Sequence, residues 1–205
     1  MSVTYVEFLV EEPSMETFLR GVLPRLLGHV SFEIRTFQCK DDLLKKLPNR
    51  LRGYAWCPED YRIVVIVDRD NDDCHALKQT LEQHAAAAGL PTRANRREGH
   101  FTVINRIAIE ELEAWYFGDW HAVRAAYPRV SESTPRRTAY RDPDAIPGGT
   151  WEAFERIVQR GGYFKGGLRK VEAAREIASH IDPARNTSHS FQVFRDAVVA
   201  LANEA

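Results

Sequence analysis

The sequence predicts an α/β fold: a mainly parallel sheet flanked by helices, followed by a helical C-terminal extension. Three observations carry this. Strand-like and helix-like segments alternate four times within residues 1–118, the order expected of parallel βα units. The segment "YRIVVIVD" is a nearly continuous apolar run, as for a strand covered on both faces. From residue 151 onward the pattern is helical, interrupted at "RGGYFKGGLRK". Residues 1–118 are therefore read as the α/β core, and 119–205 as a loop and helical extension packed on it.

Taken in order, residues 3–10 ("VTYVEFLV") read as a strand. In "PSMETFLRGVLPRLL", Met15, Phe18, Leu19, Val22, Leu23, Leu26 and Leu27 keep helical spacing. Ser14 suits the N-cap, and Pro24 should kink this helix or end it early. Residues 29–37 alternate like a strand. "DDLLKKLPNRLRG" reads as a short helix and a loop. The strand 61–68 is followed by a helix over about residues 72–88, with Asn71 as cap and Gly89 as stop. Residues 100–109 are strand-like, and "EELEAWYFGDW" reads as a helix closing near Gly118. Residues 131–150, rich in Pro, Gly, Ser and Arg, read as a loop. Trp115 and Tyr116 are read as core, and Phe191 and Phe194 as packing of the last helix.

The 205 residues with 44% hydrophobic content suit one globular domain, or one domain plus an appendage. Net charge is −1, which argues against global attraction to a polyanion. Residues 1–120 nevertheless carry 15 Lys+Arg against 19 Asp+Glu, and residues 121–205 carry 13 against 10. Cys39, Cys57 and Cys74 are odd in number and widely spaced, so neither a disulfide framework nor a zinc ribbon is expected, which fits a reducing cytoplasm. No signal peptide or membrane span is expected. The seven histidines show no metal-binding spacing, and no Walker motif is present.

The candidate chemistry lies in the acids. In a parallel α/β sheet, functional groups gather beyond the carboxyl ends of the strands. The first strand runs into Glu11 and Glu12, and the third into Asp68 and Asp70. In extended backbone, residues i and i+2 point the same way, so Asp68 and Asp70 are expected to converge on a hard cation such as Mg²⁺. Glu110, Glu111 and Glu113 open a helix after another strand, with Glu110 and Glu113 on one face. Asp72 and Asp73 are read as helix-start acids, and Glu12, Glu16 and Glu110 as solvated surface.

This arrangement resembles the Toprim domain of topoisomerases, primases and overcoming-lysogenization-defect (OLD) nucleases. "FLVEEPSMETFL" and "VVIVDRDNDD" match its two elements. Glu11 falls on the family's catalytic glutamate; Asp68 and Asp70 fall on its metal-binding aspartates. Glu12 stands where the family has Gly. "DRDNDDC", "IAIEELEAWYFGD", "GYFKGG…AAREIASHIDP" and "SHSFQVF" are similar to a bacterial Toprim-like domain-of-unknown-function family found beside OLD-like or SMC-like ATPases in phage-defence loci. In "RDPDAI", Asp144 replaces the Lys of that family's Asp-Pro-Lys. The resemblance implies a Toprim-like (Rossmann-like) fold and an Mg²⁺- or Mn²⁺-dependent nuclease acting on nucleic acid, DNA before RNA. It also implies an ATPase partner, and leaves the oligomeric state open. Glu11 would be an acid/base or a ligand, Asp68 and Asp70 ligands, and Glu113, or second Glu111, would complete the acidic cluster.

A nuclease also needs cations for its polyanion. Arg93, Arg96, Arg97, Arg136, Arg137, Arg141, Lys165, Arg169 and Lys170 are candidates, with Lys165 preferred as the phosphate contact. A second reading is a catalytically silent module that binds nucleic acid or a partner protein. A receiver-like phosphoacceptor is a third, weakened by the lack of a matching Thr/Ser and Lys.

Overall fold

The computed structural model describes residues 2–203. Strands β1 (Tyr5–Val10), β2 (Ser31–Thr36), β3 (Tyr61–Asp68) and β4 (Val103–Ala108) form one sheet. All pairings are parallel and the strand order is β2-β1-β3-β4. Helices α1 (Pro13–Leu27), α2 (Lys40–Arg52) and α3 (Cys74–Ala87) make the crossovers. After β4 come α4 (Glu113–Gly118), α5 (Trp120–Ala126), α6 (Thr150–Arg160), α7 (Lys170–His180) and α8 (His189–Ala202). Among the described residues, no helix is long and apolar enough to cross a membrane.

Successive residues of the central strands point to opposite faces, and each face is buried. Val6, Phe8, Val10, Val64 and Ile66 join a large cluster with α1 and the helices beyond β4. Leu9, Ile63, Val65 and Val67 face Leu43, Leu47 and Leu51 of α2 and Leu77 and Leu81 of α3. Double coverage explains why "IVVIV" lacks alternation. The larger cluster runs from Val3 to Leu201, so the C-terminal helices and the sheet share one core. Phe18 of α1, Trp115 of α4 and Phe191 of α8 meet with ring centroids 5.3 to 6.5 Å apart.

Several local expectations are corrected. Helix α1 continues through Pro24, and α2 runs through Pro48. A mid-helix proline costs about 3 kcal/mol, which burial of Leu26 and Leu27 beyond Pro24 in α1, and of Leu51 beyond Pro48 in α2, offsets. Ser14 does not cap α1; Glu12 occupies the N-cap position with Pro13 following, and the Ser14 hydroxyl donates to Glu12. Asp73, not Asn71, caps α3, accepting from Ala76 N at 2.8 Å. Strand β4 starts at Val103 because Arg97 and His100 close a turn.

The C-terminal segment is stitched down by buried polar groups. Asp119 accepts from Arg185 Nε and Nη2 at 2.8 and 2.9 Å and from Asp182 N at 2.8 Å. Asp144 accepts from Ser188 Oγ at 2.8 Å and from Ser190 N at 3.1 Å, at the start of α8. Here an acid, rather than the expected lysine, secures a helix terminus. Gly118 passes so close that a Cβ there would lie 2.0 Å from Asn186 Oδ1 and 2.8 Å from Ser188 N. Gly118→Ala is therefore expected to cost about 1–3 kcal/mol. At roughly 2–4 °C per kcal/mol for a chain of this size, a thermal melt reads it; an unchanged melting temperature refutes the close approach.

Candidate functional site: a carboxylate cleft at the sheet switch point

Strand β1 is followed by β2 on one side and paired with β3 on the other. This reversal opens a crevice beyond the carboxyl ends of β1 and β3, where open α/β sheets bind ligands. Glu11, the residue after β1, and Asp68, the last residue of β3, meet there. Asp68 N donates to Glu11 Oε1 at 2.9 Å. The two residues are only 6% and 4% exposed. They line a cleft of about 280 Å³ with Glu12, Lys40, Asp70, Glu111 and Lys170. Glu113, the first residue of α4, is also buried, at 1% exposure.

The electrostatics are strained. Burial pushes the Glu11 carboxyl up to about 7, opposed by hydrogen bonds from Asp68 and reinforced by Asp70 and Glu12. Burial first, then the neighbouring Glu11, holds Asp68 well above the usual carboxylate range. Burial also lifts Glu113 to about 7, although Lys170 pulls it down. For Lys170, burial lowers basicity, but Glu113, Glu12, Glu111 and Asp68 outweigh it and the net shift is upward. Glu11 Oε2, Asp68 Oδ1 and Glu113 Oε2 are buried without a hydrogen-bond partner. Such oxygens need a proton or a cation. An all-oxygen set of this kind suits a hard divalent ion.

Among the described residues, however, no three His, Cys, Asp or Glu side chains stand together as a ready metal-ligand set. Asp70 shows why. Strand β3 ends at Asp68, and Asp70 sits in the left-handed region at φ 49°, so the pleat does not align the two acids. Asp70 and Asp72 are instead both bound by Lys40 Nζ. Asp72 is thus an ion-pair partner rather than a simple helix-start acid.

The other predicted residues are placed as follows. Glu111 lines the cleft while its Oε2 accepts from Thr150 Oγ1 and Trp151 N at 2.9 and 3.0 Å, anchoring the start of α6. Glu110 does not share a helical face with Glu113: it precedes α4 at φ 60°, and pairs with Arg69 at 3.2 Å. Neither Glu110 nor Glu12 is open surface. Glu12 is partly buried and lies 3.8 Å from Lys170. Lys165 is exposed on the loop before α7 and is not among the residues lining the cleft; Lys170, the first residue of α7, is. Sequence reasoning passed over Lys40. Its signal was a cation opening a helix, where the macrodipole favours acids.

Fold and site together define an α/β protein with an acidic cleft at the switch point of a parallel sheet. The chain belongs to the family described as domain of unknown function DUF4276, whose model matches residues 10–199. It is also similar to the C-terminal region of the Burkholderia pseudomallei OLD protein, with 16% identity and a TM-score of 0.49 over 97% of this chain and 100% of that chain. No curated protein matches it.

Proposed function

We propose that this chain is an Mg²⁺- or Mn²⁺-dependent nuclease of Toprim type that cleaves phosphodiester bonds of nucleic acid, DNA before RNA. In this reading it is the effector subunit of an anti-phage defence system and works with an ATPase partner of OLD or SMC type. The observation that carries the chemistry is the buried Glu11–Asp68 pair with unpartnered oxygens at the switch-point cleft. The resemblance of "FLVEEPSMETFL" and "VVIVDRDNDD" to Toprim elements supports the substrate class, and that of "DRDNDDC", "IAIEELEAWYFGD", "GYFKGG…AAREIASHIDP" and "SHSFQVF" to the Toprim-like family found beside ATPases supports the partner and the defence setting.

Glu11 and Asp68 would hold the ion, with the buried Glu113 carboxyl near enough to raise the proton affinity of Asp68. A bound divalent ion would neutralise charge developing on the scissile phosphate. Burial lifts the Glu11 carboxyl to about 7 in the absence of an ion, so a divalent ion bound there would displace its proton at neutral pH. Lys170 at the cleft offsets the repulsion between these acids and a phosphate backbone. A silent binding module is the second reading, favoured by the way Lys40 occupies Asp70 and Asp72.

Supercoiled plasmid incubated with Mn²⁺ is expected to be nicked, and the same reaction in EDTA is not. Nicking that survives EDTA overturns the proposal. DNA retained in a gel shift, without cleavage under any divalent ion, favours the silent module.

A further inference from the structure

A larger cavity, of about 640 Å³, opens at the other end of the sheet from the carboxylate cleft. Tyr5 and Tyr61, the first residues of β1 and β3, line it together with Tyr54 and Trp56 from the turn after α2. Six residues of chain separate Tyr5 from Glu11, about 20 Å when extended, and the two linings share no residue. Aromatic walls with a few convergent polar groups are the usual form of a small-ligand site. Glu7 supplies the convergence. It interrupts the apolar run of β1 and is 6% exposed. Its carboxylate accepts from Tyr5 Oη and Arg50 Nη2 at 2.9 Å, from Arg35 Nε at 3.3 Å and from Tyr54 Oη. Burial works against its charge, but hydrogen bonds from Tyr54, Tyr5 and Arg50 outweigh burial and the net pKa shift is downward. Glu7 thus fixes two guanidinium groups and two phenols at the cavity wall. Among the described residues that line the cavity it is the only acid, against Arg35, Arg50 and Arg62. Arg35 gives Glu7 only its Nε, and 52% of its side chain stays exposed. Trp56 is 72% exposed, the most open large hydrophobic side chain among the described residues.

We infer that this cavity is a nucleotide-binding site, in which the base stacks on Trp56 and the phosphate is held by Arg35 and Arg50. A solvent-facing indole beside a cavity offers a stacking plane that any base fits. Guanidinium groups in excess of carboxylate select a negative group, and their forked donors match phosphate. A planar apolar ligand would gain nothing from the arginines, and inorganic phosphate would leave the indole uncovered. A planar ring joined to a phosphate answers both. The nucleotide is either free or one unit of a single strand. At about 20 Å from Glu11 it touches none of the groups that line the carboxylate cleft. The site is therefore an accessory one, and it stands independently of the metal-dependent reading above.

The test is calorimetric titration of the full chain in EDTA with AMP, adenosine, ribose 5-phosphate and a short oligoadenylate. AMP is expected to bind at one site, and adenosine and ribose 5-phosphate about 10-fold more weakly or less, since each lacks one of the two contacts. Trp56→Ala and Arg35→Gln are each expected to weaken AMP binding about 10-fold. Trp56 is open to solvent, so its truncation leaves the core intact. The oligoadenylate separates the two sources. Strand binding tighter than AMP and weakened by Trp56→Ala makes the ligand one unit of a strand; AMP binding at least as tight makes it the free nucleotide. Binding of neither AMP nor the strand overturns the inference. So does binding that Trp56→Ala leaves unchanged, or adenosine bound as tightly as AMP.

Discussion

Asp68→Asn is expected to abolish cleavage and at the same time to stabilise the metal-free protein. Asp68 is buried and its carboxyl sits against that of Glu11, which is why burial and that neighbour raise its proton affinity. Asparagine keeps the shape and removes the charge. Losing a metal-holding carboxylate should remove on the order of 4 kcal/mol of transition-state stabilisation, about three orders of magnitude in rate. In EDTA at pH 8, the variant should melt a few degrees above wild type, at roughly 2–4 °C per kcal/mol. As pH falls, the raised proton affinity of Asp68 keeps more of it neutral and the difference should narrow. Plasmid nicking and thermal melts read both effects. A variant that cleaves normally, or that is less stable at pH 8, contradicts an electrostatic cost relieved by metal.

The metal-free protein should also lose stability as pH rises from about 5 to 8. Glu11 and Glu113 have an ordinary value of 4.5 and are lifted to about 7 in the fold. Between those values the folded chain keeps protons that the unfolded chain releases. The stabilisation is therefore complete below about 4.5 and is lost as pH climbs through about 7. For the fully enclosed Glu113 the loss is on the order of 3 kcal/mol; Glu11 shares its proton affinity with Asp68, and the pair adds a loss of the same sign. Saturating Mn²⁺ should flatten or reverse the slope, because binding to the folded state adds stability and competes with protons for the same oxygens. Urea unfolding at pH 5, 6, 7 and 8, with EDTA or Mn²⁺, measures it. Equal slopes in the two buffers mean that the cation does not bind these groups.

The α/β order, the parallel sheet and the helical tail were legible in the sequence because they rest on short-range regularities. An apolar run such as "IVVIV" specifies a strand buried on both sides, and 3.6-residue spacing specifies the buried stripe of α1. The strand ending at Asp68 was placed to the residue, since an abrupt change from apolar to acidic leaves one boundary. Helix ends read less well. Pro24 and Pro48 look like breakers locally, and only the leucines packed beyond them decide that the helices continue. Glu11 and Asp68 were named as partners because both stand at the carboxyl ends of strands, where an α/β sheet collects its functional groups.

Which acid pairs with which cation was decided only in three dimensions. Asp70 was expected beside Asp68 by the two-residue pleat, but the strand stops at Asp68 and a left-handed turn carries Asp70 to Lys40. Lys165 and Lys170 are equivalent in sequence, and the start of α7 brings Lys170 to the cleft while Lys165 stays on the loop. Residues 30 apart, such as Lys40 and Asp70, have no local pattern linking them. Their meeting depends on the strand order β2-β1-β3-β4, which sets the start of α2 beside the end of β3. Periodicity reports which side of an element is buried; charge pairing depends on how the elements are stacked, and that is a property of the assembled chain.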